Sequence, residues 1–288
     1  MEVLITFVNG LSLGGIYAMI ALGYTMVYGI AKMLNFAHGD IIMVGGYTIL
    51  VFLTYNPILA IIASIIFCMI MGVVIEKVAY KPLRGASPLA VLITAIGVSY
   101  LLQSIAQMVF GSAPKFVVIA DLGTKKIGEL SIGYSTIITL VCSLVVMVGL
   151  NLFVKFSKTG RAMIAVSEDK GAAQLMGINV NNIIMITFTI GSALASLASV
   201  FFLLKAPTIN PTFGSLPGIK AFTAAVIGGI GSIPGAMVGG LLLGVVECFA
   251  QSVPEISPYT EAIEFSILII LLLVKPTGLL GKKRREKV

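Results

Sequence analysis

An all-α, polytopic integral membrane fold is what the sequence predicts, on three observations. Of 288 residues, 58% are hydrophobic and only 11% are charged, whereas a soluble domain carries about a quarter charged residues to wet its surface. Glycine, at 31 residues, is well above its usual ~7% share. In so apolar a chain that excess marks closely packed or broken membrane helices. Third, apolar runs of the ~20 residues that span a ~30 Å hydrocarbon core recur along the whole chain.

The full-length runs are 4–30, 58–79, 88–110, 132–154, 183–204 and, with its flanks, 262–274. Two stretches do not fit. Residues 40–54 are apolar but cover only about 22 Å at a ~1.5 Å rise per residue. Residues 220–253 are apolar throughout yet interrupted by Gly-Gly-Ile-Gly-Ser-Ile-Pro-Gly at 228–235, too short for two complete spans and too long for one. The prediction is eight to nine membrane helices, some short or broken, in one transmembrane domain over 1–288 with a loop at 155–182 and a basic tail at 276–288.

The formal charge of +7 sits in short loops, which points to orientation in the membrane rather than to an anionic partner such as nucleic acid. Lys155, Lys158, Arg161 and Lys170 in one loop, the turn 77–84, and the tail with Lys282, Lys283, Arg284, Arg285 and Lys287 belong on the cytoplasmic side. Residues 254–264, with Glu255, Glu261 and Glu264 and no basic residue, fit the outside with the N-terminus. That threading gives nine passes, N-terminus out and C-terminus in, with the 228–235 break near the cytoplasm. The loop 111–131, placed outside with Lys115, Lys125 and Lys126 against Asp121 and Glu129, runs against the rule. The first run is too long for a signal peptide's apolar region and is expected to be retained.

No cofactor, metal or catalytic set is expected. Cys68, Cys142 and Cys248 lie apart inside apolar runs and read as free buried thiols, and one histidine builds no metal site. No phosphate-binding loop of the G-x-x-x-x-G-K-[ST] type occurs; Gly281-Lys282-Lys283 lacks both the upstream glycine and the hydroxyl residue. Intramembrane charge, the mark of an ion relay, is limited on this reading to Glu247.

The segment 155–182 is the most informative. From Arg161 the pattern suits a short amphipathic helix with Met163, Val166, Ala173 and Met176 on its apolar face, stopped by Gly177. Such a helix either docks into a partner's groove or lies on the lipid headgroups. Glu168, Ala172, Ala173 and Gly177 resemble the EAA-type loop of bacterial ABC importer permeases, in the diverged form of the branched-chain amino acid group. The opening stretch Gly14-Gly15-Ile16-Tyr17-Ala18-Met19-Ile20-Ala21-Leu22-Gly23, continuing to Leu34-Asn35-Phe36-Ala37-His38-Gly39-Asp40, resembles that group's opening signature. So does Ala225-Val226-Ile227-Gly228-Gly229-Ile230-Gly231-Ser232-Ile233-Pro234-Gly235-Ala236. In order and spacing the three motifs resemble LivH-type permease subunits along essentially the whole chain.

That resemblance implies a bacterial inner-membrane importer. In it, an extracytoplasmic amino-acid binding protein delivers leucine, isoleucine or valine, this chain pairs with a second homologous permease, and two ABC ATPase subunits dock below. Gly160, Arg161, Glu168, Ala172, Ala173 and Gly177 would form the ATPase-coupling element. The two broken regions then suit the translocation path, because half-helix ends exposed at depth can face a zwitterion's charges. The candidates are Asn35, His38, Asp40, Gly228, Gly229, Gly231, Ser232 and Glu247. Plainer roles stand beside these: His38 as a loop polar group, Asp40 as the N-cap of a helix from Ile41, the glycines as packing and turn residues, Glu247 as an interhelical partner, and Asn9 and Ser12 as cross-helix bonds. Urea or short amides as substrate, and a stand-alone ion-coupled carrier, are the rival readings. A similarity between 15–47 and 218–240 is read as chance in a chain so rich in Gly, Ala and Ile.

Overall fold

The computed structural model describes residues 2–120, 122–127 and 130–281. Asp121, Glu129 and the tail from Lys282 on, used above for sidedness, lie outside the described residues. Eleven α-helices are described: α1 (Glu2–Ala31), α2 (His38–Phe52), α3 (Pro57–Ile75), α4 (Pro88–Phe110), α5 (Tyr134–Phe156), α6 (Lys158–Glu168), α7 (Lys170–Leu175), α8 (Val180–Lys205), α9 (Ser215–Gly228), α10 (Ile233–Ser252) and α11 (Thr260–Val274). Among the described residues seven helical segments are long and apolar enough to cross a membrane, and α2 and α9 are two shorter apolar helices beside them. The 220–253 stretch resolves into most of the half-length α9 and the full-length α10.

The starts of the helices follow local chemistry. Asn56, Ser87 and Ser232 accept backbone N–H bonds ahead of α3, α4 and α10, each with a proline in the first turn. That proline costs no hydrogen bond there and presets φ. Ser157, Asp169 and Asn179 cap α6, α7 and α8 in the same way.

Two of the basic segments, the turn 77–84 and the loop 155–182, lie at one end of the bundle with the residues that lead to the tail. Tyr80 after α3 bonds Asn35, Arg84 bonds Asn181 at the start of α8, Lys170 donates to the Ala31 carbonyl at the end of α1, and Leu280 donates to the Gly228 carbonyl. The opposite end holds β1 (Lys115–Phe116) paired antiparallel with β4 (Thr208–Ile209), a hairpin of β2 (Thr124–Ile127) and β3 (Leu130–Gly133), and the short turn before α11.

Inside, the bundle is an inverted repeat. The unit α1–α4 is matched by α8–α11, with each matched helix running the opposite way. α1 packs along α10 as α8 packs along α3; α2 touches α3 and α8 as α9 touches α10 and α1; α4 lies on α2 as α11 lies on α9. Stretch 15–47 therefore corresponds to α8 and α9, not to 218–240, so the sequence similarity between those two stretches is not the structural repeat. Small residues make both long seams. A Cβ built on Gly244 of α10 would lie 2.1 Å from the Gly14 nitrogen of α1, and Ser64 and Cys68 of α3 face Ser196 of α8. Lipid tails supply no hydrophobic drive between helices, so such backbone approach carries the association. Many large apolar side chains of α3, α4, α5 and α11, among them Ile66, Ile93, Val145 and Leu273, stay exposed on the perimeter.

Candidate functional site

The two half-helices begin against each other at the centre. A Cβ on Gly214, just before α9, would lie 1.8 Å from the Gly39 carbonyl oxygen in the first turn of α2. This crossing sits at depth. His38 packs on Gly23, eight residues or about 12 Å along α1 from Ala31 at a ~1.5 Å rise. Two helix N-termini thus converge inside the bundle, a positive pole facing the interior.

The polar residues around that pole come from three helices. Asp40 Oδ1 accepts from Gln103 Nε2 of α4 at 2.8 Å, and the same amide reaches Ser99 Oγ and Ser215 Oγ at 3.2 Å. Asp40 therefore does not cap its helix: α2 starts at His38, three residues earlier than expected, with Ala37 at the cap and no side-chain bond there. The Asp40 carboxyl thus lies beside two helix N-termini, whose dipoles favour an anion there, and bonds toward α4. His38 lies edge-on to Tyr24, with ring centroids 4.8 Å apart, hydrogen-bonds the Ile20 backbone, and leaves Nε2 without a partner among the described residues. Asn35 accepts from Tyr80 Oη at 2.8 Å, which ties the re-entrant segment 32–37 to the end of α3.

The second group of expected path residues lies elsewhere. Gly228, Gly229, Gly231 and Ser232 are at the basic end, one α9 length from the crossing. Ser232 caps α10, Gly231 faces Gly29, and Ile227 and Gly228 accept backbone bonds from Leu279 and Leu280. The mid-depth break of the second half is instead the loop 206–214. Its signal is Pro207, Asn210-Pro211 and Gly214 right after an apolar span. Ser99, Gln103 and Ser215 carry no such signal, because one amide among apolar residues looks the same on a lipid face and on an inner one.

Glu247 is not a lone buried charge. Lys220 of α9 donates to Glu247 of α10 at 2.7 Å and lies 3.2 Å from Glu264 of α11, all three nearly fully buried. Gln251 adds a bond to Glu247 at 3.1 Å, and Tyr17 of α1 bonds it from the other side. This corrects the expectation that intramembrane charge is confined to Glu247: Asp40, Lys220 and Glu264 are buried too. Glu264, assigned above to an outside loop, lies within α11. Asn9 behaves as expected, accepting from Thr136 of α5 at 3.2 Å, while Ser12 Oγ finds no partner among the described residues.

The 155–182 loop is two helices rather than one, broken where Asp169 caps α7. Gly160 packs on the α5 backbone at Val154, and Met163, Val166 and Ala173 are buried against the bundle. They are anchors, not docking knobs. The outward apolar residues are Ile164, Leu175 at 91% exposure and Met176 at 82%. Gly177 ends α7 at φ +80°, with Ile178 N bonding Ala173 O and Gly177 N bonding Gln174 O, the paired closure that needs a left-handed residue. Arg161, Glu168 and Ala172 are exposed on the same layer. Beside it, burial and the nearby Arg84 guanidinium hold the Lys170 ammonium below the usual lysine range.

Crossed half-helices inside an inverted repeat, with a rigid two-helix platform at one end, define a helical membrane permease. The family model described as "Branched-chain amino acid transport system / permease component" matches residues 6–273, and the chain belongs to this family. The permease protein BraD of a high-affinity branched-chain amino acid transport system of Pseudomonas aeruginosa is 47% identical over 98% of this chain and 96% of its own. The corresponding LivH of Salmonella typhimurium is 41% identical over 97% and 96%. A probable LivH permease of Methanocaldococcus jannaschii is 29% identical over 91% and 88%.

Proposed function

We propose that this chain is the membrane-spanning subunit of an ABC importer that moves branched-chain amino acids received from an extracytoplasmic binding protein. It pairs with a second, homologous permease and is driven by two separate ATPase subunits. The basic end faces the cytoplasm, which places the N-terminus outside and the C-terminal tail inside. Residues 155–182 are the coupling element, with Gly160 and Gly177 shaping it, Ala173 anchoring it, and Arg161, Glu168 and Ala172 on its open layer. Substrate passes the half-helix crossing, where Asp40 faces its ammonium and the N-termini of α2 and α9 face its carboxylate. His38 and Asn35 shape that pocket, Glu247 braces the opposite half, and Gly228, Gly229, Gly231 and Ser232 form the close-packed turn at the cytoplasmic end of the path.

The observation that carries the reading is the platform itself. Leu175 and Met176 project from the capped α7, which packs on α8 and on α6, itself seated on α1, α5 and α8, so a push there moves the bundle rather than a slack loop. The test is co-purification and uptake. The tagged chain, extracted gently from its native membrane, brings an ATPase and a second permease, and Leu175→Glu loses the ATPase together with leucine uptake. Uptake driven by an ion gradient in vesicles containing this chain alone would replace the importer with an ion-coupled carrier, the reading that the buried Lys220 cluster keeps in view. Competition by urea or acetamide but not by leucine would move the assignment to an amide permease.

A further inference from the structure

At the basic end, α3 does not run straight into its turn. Glu76–Tyr80 form a π-helical turn and Lys81–Leu83 a 3-10 turn, with Lys81 N bonding the Glu76 carbonyl five residues back. Such single π turns displace side chains from their α-helical register and are frequent at functional sites. Here the displacement leaves a pocket of about 170 Å³ between the turn and the first residues of α8, lined by Glu76, Lys77, Lys81, Arg84, Asn181 and Met185. Its charge is unbalanced. Arg84 bonds Glu76 and Asn181, Lys77 and Lys81 are exposed without an acidic partner among the lining residues, and Lys170 adds a fourth cation close to Arg84. Arg84 Nε is buried with no hydrogen-bond partner, a donor awaiting an acceptor. The first turn of α8 adds the positive pole of a 26-residue helix.

We propose that this pocket binds the phosphate of an anionic phospholipid from the leaflet at that end. The general bias of basic residues to one membrane face orients the chain but requires neither a cavity nor an unsatisfied buried donor. The apolar side of the argument lies next to the pocket. Ile70 and Val74 on α3, Val78 in the π turn, and Leu89 and Ile93 on α4 are 45–73% exposed. They form a stripe leading from the pocket along the outside of the bundle. A phosphate held by Lys77, Lys81 and Arg84 would set its acyl chains on that stripe, whereas free phosphate would use only the head of the site. This assignment depends on the chain being embedded in a bilayer and not on the role given to the 155–182 platform.

The test is the delipidated, detergent-solubilised protein titrated with phosphatidylglycerol, phosphatidylcholine or inorganic phosphate, read by native mass spectrometry and by thermal unfolding. Phosphatidylglycerol is expected to bind and raise Tm where phosphatidylcholine does not. Lys77→Gln/Lys81→Gln is expected to weaken it by on the order of tenfold or more. A charge-matched control, Lys155→Gln/Lys158→Gln, is expected to leave the response intact. Equal responses to the two lipids, an unchanged response in the first double variant, or an equal loss in the control overturn the site. Inorganic phosphate matching phosphatidylglycerol at equal concentration overturns the lipid as its source.

Discussion

The two halves of the inverted repeat are built alike and charged differently. In the first, Glu76 at the basic end is paired with Arg84, and the buried charge at the crossing is Asp40, at the very start of its half-helix and answered by a neutral amide from α4. In the second, the half-helix begins with Gly214 and Ser215, and its charge waits until Lys220, where two carboxylates enclose it. The environments account for the difference. A carboxylate at converging helix N-termini is supported by dipoles and N–H groups without any cation. An ammonium inside a helix has no such support and must be paired or it does not stay buried. The first half is therefore left with a charge free to meet a ligand, while the second spends its charges on one another and holds α9, α10 and α11 together.

The comparison is broken most severely by Lys220→Met, which leaves Glu247 and Glu264 facing each other in a dry site. The expected loss is ~3–5 kcal/mol, seen as a collapse of folded yield and Tm, and it should be largely recovered when Glu247→Gln and Glu264→Gln are added. If the single variant unfolds normally, the cluster is not what joins those helices. Next comes Gly214→Val, whose Cβ would meet the Gly39 carbonyl and force the half-helices apart, at a cost of ~1–3 kcal/mol or more. Loss of transport with retained insertion would be read by uptake beside size-exclusion of the extracted protein. Asp40→Asn sharpens the contrast from the other side. It keeps an acceptor for Gln103, so Tm should move by less than about 1 kcal/mol equivalent, while leucine uptake falls by about tenfold or more if the charge meets the substrate's ammonium. Unchanged uptake would make Asp40 a structural group like its counterparts in the second half. The smallest effect on stability is expected from Leu175→Glu, a surface change within about 0.5 kcal/mol. Ala173→Glu, at a buried position, should instead destabilise the platform itself, so only the Leu175 variant separates docking from folding.

Much of this was legible from residue order, and the remainder was hidden for identifiable reasons. The incomplete spans at α2 and around α9 follow from run length, and the Gly177 stop from glycine's access to positive φ. The 155–182 segment was readable as amphipathic, but which of its apolar residues face inward was not. Met163 and Ala173 meet the bundle while Leu175 and Met176 meet solvent, because the break at Asp169 turns α7 away from the face that a continuous helix would present. Lys220, Glu247 and Glu264 come from three helices, and Glu264 stood among residues that looked like an outside loop. Gln103 next to Asp40 was equally silent, since the two are 63 positions apart.

By itself the amino-acid sequence determined that this is a helical membrane protein, where its apolar spans lie and which of them are incomplete, and the family to which its motifs point. Those properties are local, set by apolar run length, caps, glycine and proline, and the distribution of charge. Tertiary structure alone decided that the helices form two inverted units, that the half-helices cross at Gly39 and Gly214, and that three distant charges form one buried cluster. In a chain where nearly every surface is apolar, hydrophobicity does not distinguish a lipid-facing side from an inner one. The close fit of small residues and the need to pair each buried charge choose between them, and both act only once the helices have met.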